Sequence, residues 1–169
     1  MLTLAVIADT HVPDRQRVLY PAILEALQAA RPQGILHAGD ISHPGLVAAL
    51  EKIAPVTAVR GNNDRAAWAS TLPLDDVLVI GGCLLYVLHD RAELNLDPAA
   101  AGFHAVITGH AHRPSHEIRD GVHYINPGSA GPRRFRLPVM LAELWIEAGR
   151  LSVRFIDLEQ AAAPRQDNG

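Results

Sequence analysis

Two histidine side chains lie one residue apart directly after a short apolar run. The run is Ala105–Ile107, and His110 and His112 belong to the segment that follows it. An imidazole nitrogen is a good ligand for transition metal ions, so this pair could bind a metal. In a chain with nine histidines such a pair can also arise by chance. The pair is therefore informative only together with other potential ligands along the chain.

Four other apolar runs also end in side chains that could bind a metal ion. The residues that follow these runs are Asp9, His11, Asp40, Asn62 and His89. Such runs are typical of buried parallel strands, whose carboxyl ends open into the crevice where α/β sheets bind ligands. Carboxylate oxygens, imidazole nitrogens and an amide oxygen suit divalent cations. We therefore expect five strand ends to converge on a metal site.

The order of these motifs resembles that of the calcineurin-like metallophosphoesterases. The motifs are D-x-H, G-D, G-N-x-D, an isolated histidine and G-H-x-H. Each motif alone is unspecific, but five in a fixed order favour this family. The small size and the segment Asn126–Ser129 are similar to the compact bacterial and archaeal phosphodiesterase branch. The resemblance extends from about residue 1 to residue 157.

The resemblance implies a centre of two divalent transition metal ions. We expect Mn²⁺, with Fe, Ni²⁺, Co²⁺ and Zn²⁺ as alternatives that suit the same mixed ligands. By the resemblance, one ion is bound by Asp9, His11, Asp40 and His112. The other ion is bound by Asp40, Asn62, His89 and His110. Asp40 would bridge the ions, because a carboxylate has two oxygens to share.

The same resemblance implies hydrolysis of a small phosphoester substrate, and we expect phosphodiester hydrolysis by a hydroxide that bridges the two metal ions. Asn62 and Asn63 are expected to donate hydrogen bonds to phosphoryl oxygens, and Asp64 to orient the neighbouring loop. A phosphomonoesterase and a dinucleoside polyphosphate hydrolase are the alternative enzymes. A non-catalytic interaction module is a third alternative, since a retromer subunit uses this fold after losing ligands. The complete ligand set of this chain favours an enzyme.

Two residues depart from the pattern of the family. Asn63 stands where larger members have a histidine that protonates the leaving oxygen, and an amide cannot deliver a proton at neutral pH. Esters with acidic leaving groups should therefore be preferred, and His116 is the nearest other proton donor. Asp90 stands where relatives usually have glycine. It would repel a phosphate unless it turns away or accepts a hydrogen bond from a ligand histidine.

The elements that position these residues follow from apolar periodicity and turn signals. Helices are predicted over Val18–Ala30 and from Pro44 to before Pro55, with Ser42 or His43 as the cap of the second. Hairpin turns are predicted at Gly81-Gly82, Asp120-Gly121 and Ala148-Gly149, and a short helix over residues 97–101. We expect an α/β fold, a four-layer α/β/β/α sandwich of two mixed sheets. One domain should span residues 1–157, with a tail over residues 158–169.

Composition restricts the classes of function. The chain has 169 residues, of which 49% are hydrophobic, and a formal net charge of −3, so one globular domain without bulk nucleic-acid binding is expected. Cys83 is the only cysteine, so an internal disulfide is impossible. No signal peptide or membrane-spanning run is recognisable. We therefore expect a cytoplasmic protein without membrane partners, which could form homo-oligomers.

The remaining five histidines are not predicted as ligands. His37 is a candidate for orienting a ligand, and His43 for capping a helix. His104, His116 and His123 are interpreted as solvated or hydrogen-bonded strand residues. The segment Asn126–Ser129 is either a loop near the metals or a plain turn with proline at its first corner.

Overall fold

The computed structural model describes residues 1–11, 21–131, 133 and 136–161. Its helices and strands, in chain order, are β1 (Leu2–Ile7), α1 (Pro21–Ala30), β2 (Gly34–His37), α2 (Pro44–Leu50), β3 (Val56–Ala58), β4 (Asp75–Ile80), β5 (Cys83–Leu88), β6 (Ala105–Ile107), β7 (Ser115–Arg119), β8 (Val122–Asn126), β9 (Met140–Glu147), β10 (Arg150–Asp157) and α3 (Leu158–Ala161). Short 3-10 turns lie at Ala67–Thr71 and Arg91–Glu93.

The strands form two mixed sheets of five. The first has the order β10-β9-β1-β2-β3, with β1, β2 and β3 parallel and β9 antiparallel to β1. The second has the order β4-β5-β6-β8-β7, with β5, β6 and β8 parallel. Each sheet therefore has three neighbouring parallel strands, which lie at one edge of the first sheet and between two antiparallel strands in the second. The predicted α/β architecture with two mixed sheets is confirmed.

Three apolar clusters separate the layers. One packs α1 and α2 on the outer face of the first sheet, through buried residues such as Ile23, Leu27 and Leu50. The second lies between the two sheets and contains Val6 and Val87. The third lies on the outer face of the second sheet, where partly buried residues of the segment after β5 pack against it. These residues are Leu94, Leu96 and Phe103. The sandwich therefore has a core on both sides of each sheet.

The predicted short helix over residues 97–101 is wrong, because this segment forms turns. Asp97 begins it as expected, since its Oδ1 accepts hydrogen bonds from Ala99 N and Ala100 N. A single helical bond, from Ala101 N to Asp97 O, follows. Gly102 then has a left-handed backbone with φ of 79°, which ends the turn before a helix can propagate.

The beginning of α2 agrees with the prediction. Pro44 is in its first turn, and His43 is its N-cap, with Nδ1 accepting a hydrogen bond of 3.0 Å from Gly45 N. For α1, the predicted residues Val18 and Leu19 lie outside the described residues. No described helix has the length and apolarity that a membrane span requires.

The C-terminal boundary of the domain stays a prediction. α3 follows β10 directly, and Leu158 is buried in the cluster beneath α1 and α2. Residues 162–169 of the predicted tail lie outside the described residues.

All three predicted hairpin turns are confirmed, and each has a left-handed backbone at both central residues. The φ angles are 56° and 81° at Gly81 and Gly82, 50° and 79° at Asp120 and Gly121, and 49° and 74° at Ala148 and Gly149. Two positive φ angles are typical of the type I′ turn, whose twist matches that of the flanking strands. Ala148 differs from the other central residues because its Cβ is disfavoured in this conformation.

We therefore expect Ala148→Gly to raise the free energy of unfolding by about 0.5–1 kcal/mol, since glycine adopts a positive φ without strain. Urea denaturation measures this change. The control is Ala48→Gly at an exposed position within α2, which should lower stability by up to about 1 kcal/mol. A loss of stability in both variants would show that the backbone of Ala148 is not strained.

Candidate metal centre

The seven predicted metal ligands come together at one end of the sandwich. Asp9 and His11 follow β1, Asp40 follows β2, and Asn62 follows β3. From the second sheet, His89 follows β5, and the pair His110 and His112 follows β6. Backbone hydrogen bonds extend the sheets into these loops, from Asp9 N to Gly39 O, from His11 N to Asp40 O and from Gly109 N to His89 O. The ligand-bearing loops are thereby fixed to one another.

Five of these seven residues have a left-handed backbone. The φ angles are 52° at Asp9, 40° at His11, 57° at Asp40, 66° at His110 and 54° at His112. For residues other than glycine, this conformation is uncommon and costs energy, about 1–3 kcal/mol each where it is strained. It occurs here because each strand must turn sharply at its end to direct a side chain into the shared crevice. Such clustering of unfavourable backbone is a mark of functional sites.

Asp9, His11 and His112 form the first donor cluster. The Nε2 atoms of the two histidines are 3.3 Å apart. Asp9 Oδ1 lies 3.4 Å from His112 Nε2 and 3.9 Å from His11 Nε2. Asp9 is fully buried, and both histidines are mostly buried. All three residues offer a donor atom within 4.8 Å of the others, which is a suitable spacing for one metal ion.

Asn62, His89 and His110 form the second donor cluster. Asn62 Oδ1 lies 3.0 Å from His89 Nε2 and 3.1 Å from His110 Nδ1. His89 Nδ1 donates a hydrogen bond of 2.7 Å to Ala38 O, so this nitrogen carries the proton. In the neutral ring the lone pair is then on Nε2, which faces the cluster. A backbone carbonyl thus sets the tautomer that a metal ligand needs.

Asp40 lies between the two clusters. Its Oδ2 is 3.4 Å from His11 Nε2, and its Oδ1 is 3.5 Å from His89 Nε2. Burial raises the pKa of Asp40, but two hydrogen bonds from Asn63 and the nearby His89 and His11 outweigh burial and lower this pKa below its usual value. The carboxylate is therefore ionised near neutral pH. Its two oxygens face the two clusters in the way expected of a bridging ligand.

The surrounding backbone fits closely against the two carboxylates. A Cβ at Gly61 would lie 2.2 Å from Asp40 Oδ1, and a Cβ at Gly109 would lie 3.0 Å from Asp9 Oδ2. Any larger residue at these positions would displace a carboxylate. Converging carboxylate, imidazole and amide donors within a close-fitting backbone suit divalent cations of the first transition series. The residues present therefore fit a metal centre.

Asn63 and Asp64 act within the loop after β3. Asn63 donates from its backbone N to Asp40 Oδ1 at 2.8 Å and from its side-chain Nδ2 to Asp40 Oδ2 at 2.6 Å. Its amide is thus directed at the carboxylate of Asp40. Asp64 accepts hydrogen bonds from Ser42 N at 2.7 Å and Gly61 N at 2.8 Å. These two bonds tie the loop after β3 to the loop after β2, as expected of a residue that orients the loop.

Sequence reasoning did not identify Thr10, which is buried behind the ligands. Its hydroxyl lies 3.0 Å from His37 Nε2 and donates to Asp40 O at 3.3 Å. His37 Nδ1 accepts a hydrogen bond from Gly39 N, so Nε2 carries the proton. Burial, with a smaller contribution from His89, lowers the pKa of His37 to about 3, so this ring is neutral. His37 therefore orients a ligand-bearing loop through Thr10.

The segment Asn126–Ser129 contacts two of the ligand-bearing loops. Ser129 Oγ donates to Asp9 O at 2.9 Å, and Asn126 Nδ2 donates to Gly109 O at 2.6 Å. Asn126 Oδ1 also accepts from Gly128 N, which closes the turn. Of the two interpretations left open by the sequence, the loop beside the candidate metal ligands is therefore the correct one.

Asp90 faces one of the candidate ligands. Its Oδ2 lies 3.6 Å from His110 Nε2, while its Oδ1 accepts a hydrogen bond of 2.9 Å from Ala92 N and caps the turn Arg91–Glu93. His110 is thus held between Asn62 on its Nδ1 side and Asp90 on its Nε2 side. At 3.6 Å the Asp90 carboxylate is close to His110 without a hydrogen bond between them, so the expected hydrogen bond from a ligand histidine stays a prediction.

The other histidines lie outside both clusters. His104 Nδ1 accepts a hydrogen bond from Leu84 N, and His116 Nε2 lies 3.1 Å from His123 Nδ1 on the adjacent strand. Burial, followed by the neighbouring His116 and His104, lowers the pKa of His123. His116 and His123 are paired strand residues, in agreement with the sequence interpretation, whereas His104 is hydrogen-bonded but directly precedes β6.

Comparison with known proteins shows the family through a family model and a relative in sequence. Residues 2–148 match the model of the calcineurin-like phosphoesterase superfamily domain. A probable metallophosphoesterase of Methanothermobacter thermautotrophicus is 32% identical over 163 residues, which are 92% of this chain and 92% of that protein.

Two similar solved structures show the fold. One is Vps29 of Entamoeba histolytica in complex with Zn²⁺, at a TM-score of 0.73 and 24% identity, covering 93% of this chain and 99% of that one. The other is an archaeal phosphodiesterase, also at 0.73, with 20% identity and coverage of 92% and 100%.

The position of Asp40 between the clusters predicts its effect on metal binding. Asp40→Asn should lower the content of bound Mn²⁺ more than any other single carboxylate change, because an amide cannot bridge two cations as an anion does. Metal analysis of the protein after dialysis against Mn²⁺ measures this. His123→Ala, outside both clusters, is the control and should keep the wild-type content. Equal losses in the two variants would contradict the ligand assignment.

The contact between Asp90 and His110 gives a second prediction. Asp90→Gly, which introduces the residue usual in relatives, should weaken Mn²⁺ binding at the second cluster by about tenfold, the lower end of what removing such a support costs. Calorimetric titration of metal-free protein with Mn²⁺ measures the affinity. Asp97→Gly, which removes a turn cap away from both clusters, is the control. Unchanged affinity in Asp90→Gly would show that Asp90 only caps its turn.

Proposed function

Because this chain belongs to the calcineurin-like phosphoesterase superfamily, we propose that it is a phosphodiesterase that depends on two divalent metal ions. The observation that carries the proposal is the position of Asp40, whose two oxygens face separate donor clusters. A site for one metal ion would not need a carboxylate whose two oxygens face two different donor clusters. The solved relative described as a phosphodiesterase supports the same activity.

In the proposed enzyme, one ion is held by the cluster of Asp9, His11 and His112, and the other by the cluster of Asn62, His89 and His110, with Asp40 shared. Divalent ions held by these residues would supply a water of lowered pKa as nucleophile and would neutralise charge on the phosphoryl group. Mn²⁺ remains our proposed metal. Fe, Ni²⁺, Co²⁺ and Zn²⁺ suit the same donors.

The protein's own groups divide the remaining tasks. The Oδ1 atom of Asn62 belongs to the second donor cluster. Its Nδ2 is therefore the atom that would donate a hydrogen bond to a phosphoryl oxygen. Asn63 donates to Asp40 from both its backbone N and its side-chain Nδ2, so we assign it to positioning that carboxylate rather than to the substrate. Neither amide can deliver a proton to the leaving group. The enzyme should therefore favour esters whose leaving group is already acidic.

Charge near the clusters favours a diester over a monoester. Asp64 is buried beside the loop of Asn62, and Asp90 lies beside His110. A phosphodiester carries one negative charge, whereas a monoester dianion carries two and is repelled more strongly by these carboxylates. A small phosphoester is accordingly the partner we propose. The cytoplasm is the location we propose, since the lone Cys83 is buried and forms no internal disulfide.

A non-catalytic metal-binding module is the alternative function. The zinc complex of Vps29 supports it, because that protein has the same fold and binds a metal. Phosphomonoesterase and dinucleoside polyphosphate hydrolase activities are further alternatives within the family. Turnover of matched esters distinguishes the phosphodiesterase, the phosphomonoesterase and the module, since a module hydrolyses none of them.

We expect the Mn²⁺-loaded protein to hydrolyse bis(p-nitrophenyl) phosphate with a higher kcat/KM than p-nitrophenyl phosphate. The reason is the lower charge of the diester and the absence of an acid at Asn63. Release of p-nitrophenolate at saturating Mn²⁺ measures both rates. Asn63→His should shift the ratio of the two rates toward the monoester, because an imidazole can deliver a proton.

Two controls accompany this comparison. A chelator should abolish hydrolysis until Mn²⁺ is restored. Asp40→Asn should abolish hydrolysis even when Mn²⁺ is added. A faster reaction of the monoester would contradict the inference that Asn63 leaves the site without an acid for the leaving group. Activity that survives exhaustive chelation would contradict the metal-dependent mechanism.

A further inference from the structure

A cleft of about 480 Å³ begins at the second donor cluster and leads away from it. Asn62, His89 and His110 line the inner end of the cleft. A phosphodiester whose phosphorus lies at the clusters has two ester substituents, its arms. One of these arms can enter the cleft while the other points to solvent. The side chains along the cleft therefore decide which arms are preferred.

Two arginines, Arg60 and Arg65, line the cleft on either side of the Asn62 loop. Arg65 Nε donates a hydrogen bond of 3.0 Å to Asn62 O, which ties its guanidinium to the residue at the inner end of the cleft. In the described part of the chain, neither arginine has an ion pair with a carboxylate. Arg154 and Arg91, by contrast, pair with Glu143 and Glu117.

Three carboxylates also line the cleft, and they differ in their contacts. Asp64, in the loop of Asn62, accepts hydrogen bonds from Ser42 N and Gly61 N. Asp90 lies against His110 and accepts a hydrogen bond from Ala92 N. Glu93 is exposed. The cationic side chains of the cleft are therefore Arg60 and Arg65, on the segment that also carries the candidate ligand Asn62.

We propose that Arg65, assisted by Arg60, binds a second anionic group on the substrate, a phosphate or phosphonate carried by the arm that enters the cleft. A guanidinium suits this role because its planar donors match the oxygens of such a group and it stays charged at all relevant pH values. The hydrogen bond to Asn62 O uses only one donor of Arg65 and orients the others. This inference rests on the proposed phosphodiesterase function and makes the substrate a phosphodiester with an additional anion.

The test compares two aryl phosphodiesters that differ only in the retained arm, ethyl p-nitrophenyl phosphate and 2-phosphonoethyl p-nitrophenyl phosphate. The Mn²⁺-loaded wild type should show a kcat/KM about tenfold higher for the phosphonate, chiefly through KM, as one charge-assisted hydrogen-bonded pair would give. Arg65→Gln should remove this preference. Arg150→Gln, an exposed arginine at the start of β10, is the matched control and should retain it. A preference that is absent in wild type or unchanged in Arg65→Gln would overturn the proposal.

A binding measurement separates this inference from the proposed function. Calorimetry compares propane-1,3-diphosphonate with propylphosphonate on the Mn²⁺-loaded wild type and on Arg65→Gln. If neither ester is hydrolysed, the proposed function fails. Tighter binding of the diphosphonate by wild type but not by Arg65→Gln would still support the role of Arg65. Equal effects of the variant on both phosphonates would overturn that role whether or not the esters are hydrolysed.

Discussion

Two buried carboxylates near one another, Asp9 and Asp40, are the constraint on which this structure depends. They lie with His89 in a group whose donor atoms are within 4.8 Å of one another. Like charges repel strongly away from water, and a buried carboxylate is stable only when paired or hydrogen-bonded, or when it coordinates a cation. A fold that holds both carboxylates here is therefore suited to binding cations. The imidazole and amide donors around them complete the set of candidate metal ligands.

The rest of the molecule holds these charges in place. Parallel strands from two sheets end at the same crevice, and the ligands turn into it through a backbone that most residues avoid. Apolar packing between the layers offsets this cost, because the strands that carry the ligands are fully buried along most of their length. Neutral or fully hydrogen-bonded groups behind the ligands, such as Thr10, His37, Asp64 and Ser129, then fix the loops without adding a free charge.

Three further residues lie around the candidate centre. Asp90 lies against the candidate ligand His110 and adds negative charge beside the second cluster. Asn63 is directed at Asp40, and its amide supplies no acid for a leaving group. Arg65 is tied to the loop of Asn62 beside an open cleft. The ligand motifs of the family account for the candidate metal centre, and these three residues are the ones to which we assign ligand support, the lack of a proton donor and recognition of the substrate arm.

The sequence by itself determined the strands that end at the candidate site, the hairpin turns, the start of α2 and the types of candidate ligand at each strand end, because these depend on residues close together in the chain. It left the cap of α2 open between Ser42 and His43, and the structure identifies His43. Only the tertiary structure decided that Asn63 turns to Asp40, that Thr10 and His37 lie behind it, and that turns rather than a helix cover part of the second sheet. Each of these depends on contacts between segments that are distant in sequence or on how far a turn propagates. A local pattern carries no information on the distant contacts, since packing of the two sheets sets which side chains meet, whereas the glycine that ends the turn at Gly102 is visible in the sequence.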